Sequence, residues 1–136
     1  MFLNSLSPEE KDIFMKLASA IIKADGIVEE SEKQILAAYA NEMQIPTCDI
    51  NVEYDVEAAI KKTAESSTVQ AKRIIFLELM ALSLADGNYN DKEEALMQRI
   101  ADMFGLDKTF IERAITLEDA YIASYMSLVH FVEKGE

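Results

Sequence analysis

The sequence predicts an all-α fold, a single-domain bundle of about seven helices built from two related helical hairpins. Three observations carry this. Apolar residues recur at three- and four-residue spacing along most of the chain, and no stretch alternates for long enough to make a strand. Only four Gly and two Pro interrupt a chain rich in Ala and Met, both good helix formers. One joint occurs twice: Ala24-Asp25-Gly26 and Ala85-Asp86-Gly87 each follow an apolar helical run and precede another.

Residues Met1 to Leu6 are a short apolar lead-in. Ser7-Pro8-Glu9-Glu10 starts the first helix: Ser7 caps, Pro8 suits the first helical position and Glu10 completes a capping box. The helix runs to about Lys23, with Ile13, Phe14, Leu17, Ala20, Ile21 and Ala24 on its core face, and Gly26 ends it. The second helix begins near Glu29 or Glu30, turns Ile35, Leu36, Tyr39, Ala40 and Met43 inward, and closes at Ile45-Pro46. After a connection over 47–55, a third helix spans about Val56 to Glu65, and Ser66-Ser67-Thr68 breaks it and supplies caps. The fourth helix, Val69 to Ala85, is apolar nearly all round after Arg73 and is the expected central helix. Asn90 caps a fifth helix with Glu93 as its capping-box glutamate; it runs to about Phe104, and Gly105 stops it. Asp107 caps a short sixth helix, and Thr116 and Asp119 frame the start of a last one reaching about Val132.

A shift of 61 residues superposes the joints. Ala24, Asp25, Gly26, Glu32 and Ala40 fall on Ala85, Asp86, Gly87, Glu93 and Ala101, and Ile35, Leu36 and Met43 fall on Leu96, Met97 and Phe104. Residues 1–136 are therefore expected to form one domain, with repeat one at about 8–46, repeat two at about 69–107 and C-terminal helices over 107–133, the repeats related by an approximate two-fold axis.

The formal net charge of −12 opposes phosphate backbones, which disfavours nucleic-acid binding as a general activity, and no nucleic-acid partner is expected. A single cysteine, Cys48, excludes an intramolecular disulfide. No basic start with an apolar run and cleavage site is visible, and the most apolar run, Ile74 to Ala85, is too short to span a bilayer. A cytoplasmic location with no direct membrane span is expected. No nucleophile elbow, glycine-rich phosphate loop or catalytic constellation is present, so the expectation is a protein that is not an enzyme.

What remains is the acidic joint. Asp25 and Asp86 sit at helix C-termini, where a negative charge opposes the macrodipole by about 0.3–1 kcal/mol. Each has a structural explanation: the Asp accepts N–H groups of its own turn, and Glu32 or Glu93 folds back on the start of the next helix. Each also fits a divalent-cation site, since hard cations take carboxylate and carbonyl oxygens. Asp25, Glu32, Asp86 and Glu93 are the candidate ligands, with Glu29, Asn88, Asn90 and Asp91 as secondary candidates, and Ca²⁺ or Mg²⁺ as the ion. Gly directly follows the first Asp and the Glu comes too early, which excludes an EF-hand. Cys48 and His130 alone do not make a zinc site.

The paired helix–Ala-Asp-Gly–acidic–Glu–helix pattern, with Leu106-Asp107 after the second hairpin, resembles the TerB-like tellurite-resistance family. The resemblance spans about Phe14 to Ala114. It implies an all-α domain of two similar halves with an acidic, cation-associated surface, no established enzymatic activity, and stress-response roles in which protein partners include basic or membrane-associated complexes. Asn88 and Tyr89 stand where the first repeat has Ile27 and Val28, a departure from symmetry.

The competing reading is a metal-free protein–protein interaction module using acidic or apolar helix surfaces. Tyr121, Tyr125, Met126, Val129 and Val132 of the last helix form an apolar stripe, and any part left exposed is a partner or homodimer surface.

Overall fold

Ser7 opens the first helix as its sequence requires. Its Oγ accepts the Glu10 N–H at 3.2 Å, and its own N–H donates to Glu10 Oε1 at 2.9 Å, a closed capping box. In this computed structural model, which describes residues 1–24, 26, 28–47, 50–85 and 90–136, the helix that follows is α1 (Pro8–Lys23). Five more follow: α2 (Glu30–Met43), α3 (Val56–Ser66), α4 (Val69–Ala85), α5 (Asp91–Phe104) and α6 (Lys108–Lys134). A short 3-10 helix, Leu3–Ser5, precedes them. The described residues contain no strand, and the fold is all-α.

Each start has a visible chemical cause. Asp55 Oδ1 accepts Ala58 N–H at 3.0 Å for α3, Thr68 Oγ1 accepts Ala71 N–H at 3.1 Å for α4, and Asp107 Oδ1 accepts Phe110 N–H at 2.8 Å for α6. The ends of α2 and α5 use the same left-handed conformation, at Gln44 with φ 58° and at Gly105 with φ 72°. The matching bonds, Ile45 N–H to Ala40 O at 3.0 Å and Leu106 N–H to Ala101 O at 2.9 Å, return the chain over the preceding turn.

Six α-helices form among the described residues, where the sequence suggested about seven. The difference lies at Thr116 and Asp119, read as the start of a separate last helix. Thr116 Oγ1 donates to Glu112 O at 3.0 Å, so it satisfies itself inside the helix rather than capping a new one, and Asp119 is exposed to water in mid-helix. Helix α6 continues through both.

The chain divides into two compact units, Met1–Leu106 and Asp107–Glu136. In the first, α1 packs against α2, α3 and α4; α5 packs against α3 and α4; and the 3-10 helix packs against α2 and α4. Its core is fully buried at Phe14, Leu17, Ile21, Leu36, Ile60, Ile75, Phe76, Leu79, Met97 and Ile100. Each such side chain contributes about 1.5–3 kcal/mol through burial. Helix α4 turns Ile75, Phe76, Leu79, Met80, Leu82 and Ser83 inward, which fits its apolar circumference. The second unit is the α6 segment, begun by Asp107 and closed by Gly135 at φ 74°.

Candidate functional site

The two acidic joints connect α1 to α2 and α4 to α5. At the first, Ala24 N–H donates to Ile21 O and Gly26 N–H to Lys23 O at 3.0 Å, with Gly26 at φ 82°, a conformation that favours glycine. Glu29 then adopts extended backbone, and its N–H donates to Glu32 Oε1 at 3.0 Å. Glu32 therefore does the local work its position in α2 suggested. Asp25 lies outside the described residues.

At the second joint, Asp86 and Asn88 lie outside the described residues. Asn90 and Glu93 are described, and they clasp each other. Asn90 Oδ1 accepts Glu93 N–H at 2.9 Å, and Asn90 Nδ2 donates to Glu93 Oε1 at 2.9 Å. The capping glutamate thus bonds the cap's side chain. It does so while nearly buried, at 6% exposure, which makes the amide contact important: a carboxylate removed from water needs donors. Asp91 and Glu29 are exposed.

The structure accordingly brings Glu29 to Glu32 and Asn90 to Glu93. Among the described residues, no group of three or more His, Cys, Asp or Glu side chains is placed to hold a metal ion. The capping role does not preclude one, because an N–H uses one of about four lone-pair positions on a carboxylate. The described carboxylates alone do not constitute a cation site.

Asn90 thus holds Glu93 by two hydrogen bonds, one accepted and one donated. Asn90→Ala should cost about 1–2 kcal/mol, because it removes the N-cap acceptor and strips a donor from a nearly buried carboxylate. Chemical denaturation of the variant measures it, and a change under about 0.3 kcal/mol would refute the clasp.

Two carboxylates that the sequence did not single out as sites converge elsewhere. Glu42 of α2 and Glu78 of α4 both reach the N-terminal amine of Met1, at 2.9 and 3.1 Å. The available signal was Glu78 itself, a lone acid inside the most apolar helix. Near the other end of α1, Lys23 Nζ donates to Val52 O at 2.9 Å, and Lys16 Nζ lies 5.7 Å from the centroid of the Tyr54 ring. Both lysines border a cleft of about 220 Å³. A groove of about 570 Å³ lies where α1 and α4 begin, lined by Ser7, Glu10, Thr68, Gln70 and Ala71. No helix among the described residues is long and apolar enough to cross a membrane.

A family model described as tellurite resistance protein TerB matches residues 49–116, half of the 136-residue chain. The chain belongs to the TerB family. The TerB match runs from the connection before α3 to the first part of α6, and so contains the second acidic joint with Asp86, Asn90 and Glu93; the first joint lies outside it. No curated protein and no solved structure matches the chain.

Proposed function

We propose that this chain is a non-enzymatic binding domain of the TerB kind, whose acidic Asp-Gly joints take a divalent cation, Ca²⁺ or Mg²⁺. One observation supports the reading above the others: the two hairpins that carry the joints pack through a shared helix pair. Helix α1 packs on its partner α2, α4 packs on its partner α5, and α1 and α4 pack on each other. Their first turns border one groove, through Ser7 and Glu10 on one side and Gln70 and Ala71 on the other. This is the arrangement expected of two repeats related by an approximate two-fold axis. Helices of 16 and 17 residues are also nearly equal in length. If they run alongside one another from that groove, the C-termini of α1 and α4, which the Asp-Gly joints follow in sequence, share one end. Carboxylates gathered in a chain of net charge −12 repel unless a cation joins them.

Calorimetric titration of chelator-treated protein with Ca²⁺ and then Mg²⁺ tests this. Heat of binding and a raised melting temperature at millimolar ion are expected, both lost in the Asp25→Asn/Asp86→Asn double variant. No heat and no melting shift with either ion would sink the cation reading, and undiminished affinity in the double variant would move the site away from the joints.

A further inference from the structure

Helix α6 carries a long uncharged stretch. From Ala120 to Val132 there is no Asp, Glu, Lys or Arg. Within it and just before it, Leu117, Tyr121, Tyr125, Met126, Leu128, Phe131 and Val132 are each between 51% and 85% exposed. At 100° per residue all of these but Met126 fall within an arc about 120° wide and make one face, with Met126 on the far side.

The spacing says what kind of surface fits that face. Leu117, Tyr121, Ser124, Leu128 and Phe131 follow one another at intervals of four, three, four and three. That is the 3.5-residue repeat of a seam that packs against another helix. A membrane surface is a poor match. Helices that lie on bilayers carry Lys and Arg beside their apolar face, whereas this stretch has none and the chain bears a net charge of −12. A strongly basic partner is no better, because the stripe offers it no carboxylate. The helix with a seam of matching length, period and apolar character is α6 itself.

We propose that α6 pairs with α6 of a second copy of this chain along the Leu117–Val132 stripe. Ser124, small and near mid-stripe, leaves room for the bulky side chains that cross there. Six large side chains at about 100 Å² of exposed surface each give about 600 Å² per copy, so a two-fold pair buries about 1,200 Å², the lower end of stable interfaces. This pairing is independent of any cation.

The test is mass in solution, on the full chain in the presence of chelator. Sedimentation equilibrium from about 1 to 100 µM, the range suited to an interface of this size, should approach twice 15.3 kDa. Tyr121→Glu/Leu128→Glu should weaken association at least tenfold with an unchanged helical circular dichroism signal, since both positions are more than half exposed. A wild-type monomer throughout the range, or a double variant that associates as strongly, would overturn the proposal.

Discussion

Phe14→Ala should destabilise the first unit by about 3–5 kcal/mol, a large part of the 5–15 kcal/mol that holds a typical domain folded. Phe14 has no exposed surface. It sits on α1, the helix that touches α2, α3 and α4, so the cavity left by its ring opens where several elements meet and cannot be filled by a shift of one. It also meets Tyr39 of α2 edge-on, with centroids 5.4 Å apart and planes at 73°. That geometry sets the positive ring edge against the negative face and adds about 0.5–1.5 kcal/mol beyond burial. A double-mutant cycle with Tyr39→Leu separates this coupling from the cavity cost. Urea denaturation reads both. Val69→Ala, on the exposed side of α4, provides the contrast at under about 0.5 kcal/mol. A loss below about 1 kcal/mol for Phe14→Ala would mean the ring is not packed as described.

The helices were legible because their signals are local. Ser7, Pro8 and Glu10 lie within one turn of each other, and Asp107 announces α6 by the same chemistry. The end of α2 was harder to read. Its left-handed residue is Gln44, not the glycine that α5 uses at Gly105, and only the bond from Ile45 N–H to Ala40 O marks it. Thr116 and Asp119 misled for a related reason. Their side chains favour helix starts, but a threonine in mid-helix can turn its hydroxyl back to the carbonyl four residues earlier, and an exposed aspartate is simply solvated. Glu32 and Glu93 were legible as capping residues, yet the burial of Glu93 and its bond to the Asn90 side chain depend on packing that spacing along one helix does not encode. The membership shown by the match over 49–116 rests on a segment that includes only the second joint.

The other large effect concerns the first six residues, which the sequence presented only as an apolar lead-in. Glu78→Ala should cost about 1.5–3 kcal/mol, the range for hydrogen bonds to a charged group. Glu78 is 7% exposed and accepts Phe2 N–H at 2.9 Å, while its Oε1 lies 3.1 Å from the Met1 amine. Glu42 holds the same amine at 2.9 Å and accepts Leu3 N–H at 3.1 Å. The two carboxylates tie the 3-10 helix to α4 and α2, and that attachment keeps Leu3 completely buried. Removing Glu78 leaves the Phe2 N–H without this acceptor and loosens the seat of Leu3. Glu78→Gln keeps an acceptor but no charge, so it should cost less. The pH dependence separates an ionic anchor from simple packing. Burial by itself lowers the amine pKa, but the hydrogen bonds and charges of Glu42 and Glu78 outweigh it and hold the value above 8.0. Because the folded-state value is the raised one, the contribution is complete below 8.0 and disappears as pH climbs through the folded value. The stability gap between wild type and Glu78→Ala should therefore be constant below 8.0 for as long as the carboxylate stays ionised, and narrow well above 8.0. A gap of equal size on both sides would assign the effect to packing around Leu3 instead of to the charged amine.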